Sequence, residues 1–148
     1  MKQILIIIFL LASPLLAKEY KSVFDCSSKD VSYITSRMFL IERTMDMIEA
    51  KGDSVKFALT IHGSCAAIVS KNFDEVVDED DEELMQKAQT QLIKLAKKKD
   101  VAVTVCAMSL NANTIPKEDV LSFVNISENS FIDTIAYQND GYALMSFK

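Results

Sequence analysis

The sequence predicts an α/β fold, a five-stranded parallel sheet with helices on both faces. Two observations predict it. Short apolar segments alternate with longer stretches of helical period along the chain after residue 18, the pattern of strands joined by right-handed crossovers. The most apolar of the short segments, Val101-Ala102-Val103-Thr104-Val105-Cys106, is nearly continuous rather than alternating, as strands buried on both faces require. It is bounded by Lys97-Lys98-Lys99-Asp100 and by Asn111-Ala112-Asn113, and the run extends to Leu110. In open parallel sheets, ligands and reactive groups gather outside the carboxyl ends of the strands, where Cys106 falls.

The 148 residues, 49% hydrophobic and 25% charged, suit one domain with a sizeable core. A formal net charge of −5 and a pI near 4.9 argue against a nucleic-acid partner, because phosphate would be repelled. Met1-Lys2-Gln3, the uncharged run from Ile4 to Ala12 and the break Ser13-Pro14-Leu15-Leu16-Ala17 follow the grammar of an export signal. The organisation is then a signal peptide over residues 1–17 and one domain over 18–148. The apolar run is short for a membrane span, which needs about 20 residues. The expectation is cleavage after Ala17, export to a periplasm and no stable membrane insertion. An uncleaved N-terminal anchor is the alternative.

Tyr20 to Cys26 reads as the first strand, and Ser27-Ser28-Lys29-Asp30 supplies capping groups for a helix. That helix spans Val31 to Ala50, since Val31, Ile34, Met38, Ile41, Met45 and Ile48 recur every three or four residues, and Lys51-Gly52-Asp53 ends it. Val55 to Ile61 is the second strand. His62-Gly63-Ser64-Cys65 turns from it into the short apolar segment Ala66 to Val69. The acidic cluster from Asp74 to Glu83 precedes a helical pattern over Leu84 to Lys99, which closes on lysines. This order complements a helix macrodipole, so a capped surface helix is preferred to a calcium loop; an EF-hand's glycine and bidentate glutamate are missing from their fixed positions. Beyond Cys106, Pro116 opens a short helical turn. Ser122 to Ile126 is a fourth strand. A helix capped within Ser127-Glu128-Asn129-Ser130 buries Phe131, Ile132, Ile135 and Ala136 before Asn139-Asp140-Gly141 stops it, and Tyr142 to Phe147 is the last strand.

With strand order 2-1-3-4-5, Cys26, Cys65 and Cys106 emerge together at the carboxyl ends of three adjacent strands, with His62 beside them. Three cysteines and a histidine could hold zinc, although close ligand pairs are lacking. Two cysteines could instead form a disulfide in an exported protein, Cys26 with Cys65 being the pair to test first. All three could also be small buried hydrophobes. Gly63 would let the backbone approach a ligand, and His62 could stabilise negative charge when protonated. There is no nucleophile elbow, phosphate loop or glycine-rich dinucleotide turn.

The first strand and long helix, Ile61-His62-Gly63, Val101 to Leu110 and the closing Gln138-Asn139-Asp140-Gly141-Tyr142-Ala143 together resemble the DsrE/DsrF-like sulfur relay family. The resemblance covers nearly the whole mature chain. It implies a flavodoxin-like three-layer sandwich, assembly into homo-oligomers (trimers or hexamers) and no cofactor. It also implies a sulfur-carrying cysteine at Cys106, loaded as a persulfide and exchanging with donor and acceptor proteins, whether as carrier or as sulfurtransferase. Two departures stand out: the export signal, where the best understood relay proteins are cytoplasmic, and the two further cysteines. The rival expectation is a non-catalytic oligomeric module of the same fold that binds a small ligand or a metal.

Overall fold

The computed structural model describes residues 17–147. All but the last residue of the expected signal peptide lies outside them. Five parallel strands, β1 (Glu19–Cys26), β2 (Ser54–Ile61), β3 (Val101–Cys106), β4 (Asn125–Ser127) and β5 (Ala143–Phe147), form one sheet in the order β4-β3-β2-β1-β5. This is the predicted α/β architecture, with a different strand order. In place of 2-1-3-4-5, β2 lies between β1 and β3, so Cys26 and Cys106 end the strands on either side of it.

The helices are α1 (Val31–Glu49), α2 (Glu82–Ala96), α3 (Ala107–Ala112) and α4 (Ser130–Asn139). The strand order decides where they lie. From β1 to β4 the chain steps across the sheet in one direction, so right-handed crossovers put α1 and α2 on one face. The step from β4 back past β1 to β5 runs the other way and carries α4 to the opposite face, where it meets β1, β2, β3 and β5.

The α1/α2 face holds the main core. Strand residues alternate between faces, and Phe24 and Cys26 on β1, Phe57, Leu59 and Ile61 on β2, and Val103 and Val105 on β3 all join the buried cluster with Ile34, Met38 and Ile41 of α1 and Leu92 and Leu95 of α2. Asp30 caps α1, its carboxylate accepting from the Tyr33 amide at 2.9 Å. The apolar stripe predicted for α1 is buried from Val31 to Met45, with Ile48 partly buried at its end. The acidic stretch forms two short 3-10 turns, Phe73–Glu75 and Glu79–Asp81, that lead into α2. Among the described residues no helix is long and apolar enough to cross a membrane.

The α4 face corrects the sequence reading. Asn129 caps α4 and accepts from the Phe131 amide at 2.9 Å, but Phe131, Ile132 and Ile135 are 68%, 63% and 58% exposed, and Ala136 is exposed too. They were expected to be the buried stripe. The inward stripe is instead Ser130, Asp133, Thr134 and Tyr137, at the same helical spacing. The physical reason lies in the strands. The side of the sheet they turn toward α4 is polar near its carboxyl edge (Asp25, Thr60, Thr104, Ser127), so the helix meets it with hydroxyls and a carboxylate. Ser127 donates its hydroxyl hydrogen to Asp133. The predicted fourth strand is also shorter and later than Ser122 to Ile126.

Candidate functional site

The site forms where β1, β2 and β3 end. The register pairs Cys26 with Ile61 and Ile61 with Val105. These three point into the α1/α2 core. One residue further along, His62 and Cys106 point to the other face, and Asp25, one residue earlier on β1, shares it. Cys26 is bonded to Cys65 in a disulfide, with Cα atoms 5.9 Å apart. Cys65 reaches it from the 3-10 segment Gly63–Val69 that follows β2, and both cysteines are fully buried.

The three cysteines therefore do not converge. The sheet separates the Cys26–Cys65 bond from Cys106, the free cysteine. Spacing along the chain could place all three at the carboxyl edge, but the alternation of side chains puts Cys26 and Cys106 on opposite faces. With two of its sulfurs bonded together, a Cys3His zinc site has no ligand set, and the described residues contain no group of three or more His, Cys, Asp or Glu side chains placed to hold a metal.

Cys106 ends β3 and caps α3. It is 4% exposed and lies beneath the loop that enters α4, the thiol pointing to the Glu128 carbonyl oxygen at 3.9 Å. Burial pushes the thiol up, but the backbone N–H groups of Ser130, Ser109 and Met108 and the Ser109 hydroxyl donate to the sulfur and hold it below the usual thiol range. The Ser109 hydroxyl is itself oriented, because its oxygen accepts from the Gly63 N–H at 2.9 Å and leaves its hydrogen for the sulfur. Asn113 ties the two together, donating to the Gly63 carbonyl at 2.9 Å and to the Ser109 carbonyl at 2.7 Å.

Gly63 is required where it stands. Its φ is +55°, and a Cβ there would meet the Ser27 carbonyl oxygen at 3.3 Å. This sharp turn lets the chain leave β2 on one face while Cys65 returns to the core on the other.

His62 Nε2 lies 2.9 Å from Asp25 Oδ1, and Thr60 Oγ1 donates to the same oxygen at 3.0 Å. Its ring packs edge-on against Phe131, with centroids 6.2 Å apart. The hydrogen bond to Asp25 raises the imidazole pKa against the opposing effect of burial, and the charges of Asp25 and Cys106 add to the rise. The site thus gathers His62, Gly63 and Cys106 of the residues expected from sequence. It adds Asp25, Ser109, Asn113 and the Ser130 amide, which sequence reasoning missed. Asp25 carried a signal: it is an acid inside a strand segment, at odd spacing from the buried Phe24 and Cys26.

The DsrE/DsrF-like family profile matches residues 21–147, every strand but the first two residues of β1 included. The chain belongs to the DsrE/DsrF-like family. An uncharacterized protein of Aquifex aeolicus is 35% identical over 140 residues, which span 95% of this chain and 59% of that relative. The chain therefore covers less than two thirds of the relative's length. A protein of unknown function from Methanobacterium thermoautotrophicum superposes with a TM-score of 0.66 over 86% of this chain and 99% of its own, at 16% identity. That likeness speaks to the DsrE-like fold alone.

Proposed function

We propose that this DsrE/DsrF-like protein carries sulfane sulfur as a persulfide on Cys106 and passes it to an acceptor. One observation carries the reading. Cys26 and Cys65 are bonded to each other, whereas Cys106 is free at the end of β3 beside His62, with neighbouring amides and the Ser109 hydroxyl holding its thiol below the usual range. A thiolate is the nucleophile in sulfur exchange, and donors directed at the sulfur raise its population near neutral pH. In the loading step the Cys106 thiolate attacks the outer sulfur of a donor persulfide. A new S–S bond forms, the donor's S–S bond breaks, and its electron pair leaves on the donor's inner sulfur as a thiolate. No net oxidant is consumed, and unloading is the same exchange with a thiolate acceptor.

Mass spectrometry of the protein after polysulfide treatment is the test. The wild type should gain sulfur on the peptide bearing Cys106, and Cys106→Ser should gain none there. Sulfur uptake that persists in Cys106→Ser removes the assignment.

The same reading includes export to a periplasm and assembly with copies of this chain. The Cys26–Cys65 bond supports export, since disulfides persist mainly in oxidising compartments. The outward stripe Phe131, Ile132 and Ile135 supports assembly, because contiguous apolar surface of this kind marks an interaction site. Light scattering should give a multimer for the wild type and a smaller species for Phe131→Asp combined with Ile135→Asp. A monomeric wild type at micromolar concentration contradicts the assembly.

A further inference from the structure

We infer that Asp25 is a positioning residue for the Cys106 thiol: held by Thr60, it fixes the His62 imidazole so that His62 and Cys106 meet as imidazolium and thiolate. The inference rests on the reading of Cys106 as the reactive sulfur and adds to it the residue that governs its protonation.

The geometry comes from three strands. Because Ile61 pairs with Val105, His62 and Cys106 occupy the next level on adjacent strands and share a face, and adjacent strands lie about 4.8 Å apart. Asp25 shares that face on β1. Its Oδ1 is held by Thr60 Oγ1 at 3.0 Å and meets His62 Nε2 at 2.9 Å. The His62 amide donates to the Cys26 carbonyl at 2.9 Å, so the backbone that carries the ring is tied to the strand that carries Asp25. Phe131 stands edge-on to the ring from α4. Both side chains are largely withdrawn from solvent, 19% exposed for His62 and 17% for Asp25, so the pair is poorly screened by water.

With Nε2–H directed at Asp25, a neutral His62 presents Nδ1 as its basic nitrogen. The Cys106 S–H bond breaks, its electron pair stays on sulfur, and the proton goes to Nδ1, directly or through water. The product is an imidazolium between two anions. Among the described residues, the loop before α4 and α4 itself bring further titratable groups to this face of the sheet. Glu128 is exposed, Asp133 accepts from Ser127, and Tyr137 packs edge-on to Tyr142 with ring centroids 4.9 Å apart. Among the described residues, the carboxylate with a direct hydrogen bond to His62 is Asp25.

The test is the pH dependence of Cys106 alkylation by iodoacetamide in the full folded chain with its disulfide intact. A purely structural Asp25 would leave this readout unmoved. The wild-type midpoint is expected below the usual thiol value of about 8.5. Asp25→Asn and His62→Gln should each raise it by about one pH unit and slow alkylation at neutral pH about tenfold, and Asp25→Glu should recover part of the difference. Midpoints at the wild-type value in folded Asp25→Asn and His62→Gln overturn the inference. If Asp25→Asn does not fold, the His62→Gln midpoint decides, because that change leaves the Thr60–Asp25 hydrogen bond in place. Polysulfide loading is measured in parallel. A wild type that shows the midpoint differences but takes up no sulfur overturns the sulfur-carrier reading alone. One that takes up sulfur with no midpoint difference overturns this inference alone.

Discussion

Replacing Cys26 and Cys65 together by alanine is expected to lower the stability of the protein by about 4 kcal/mol, the loop-closure entropy of a bond spanning 39 residues. Domains of this size are stable by about 5–15 kcal/mol, so the variant should lose a large share of its margin. The bond joins the end of β1 to the segment that follows β2. Without it, the 3-10 segment Gly63–Val69 is held by packing of Ala66, Ile68 and Val69 in the core and by the chain's own hydrogen bonds. Urea unfolding of the variant, or of the wild type under a reductant, should show the midpoint fall. Sulfur uptake at Cys106 should survive in conditions where the variant is folded, since the bond lies on the other face of the sheet. An unchanged urea midpoint contradicts the structural role of the bond, and loss of uptake in a folded variant contradicts the separation of the two sites.

Gly63→Ala should cost roughly 1–2 kcal/mol from the left-handed backbone alone, with a further penalty from the Ser27 carbonyl oxygen 3.3 Å from the new Cβ. The residue that bears this oxygen is itself tied to β5, because the Ser27 amide donates to the Phe147 carbonyl at 3.1 Å. Relief comes more easily by shifting Gly63 itself. Such a shift draws its N–H away from the Ser109 hydroxyl and loosens the group that supports the Cys106 sulfur. The expected result is a lower melting temperature together with slower alkylation of Cys106 at neutral pH. A melting temperature equal to the wild type refutes the strain, and unchanged alkylation in a destabilised variant refutes its transmission to the thiol.

The alternation of strand and helix, the long amphipathic α1 and the valine-rich β3 were legible because each is a local pattern that burial imposes on contiguous residues. The place of Cys106 at the carboxyl end of a buried strand was legible for the same reason. Asp25 was not, since its meaning depends on which strand lies beside β1 and in what register. The stripe of α4 misled for a related cause: helical period shows that Phe131, Ile132 and Ile135 share a face, but not which way that face turns.

By itself, then, the sequence determined the kind of fold, a parallel α/β sheet ending in a cysteine on β3, and a family resemblance that the match over residues 21–147 bears out. The tertiary structure alone decided the strand order, and with it every relation across strands. Placing β2 between β1 and β3 sets His62 beside Cys106 and within reach of Asp25, while the two-residue alternation of the strands sends Cys26 through to the opposite face to meet Cys65. Local sequence constrains the period of an element. Which neighbour it pairs with, and which face it turns to that neighbour, follows from contacts far apart in the chain.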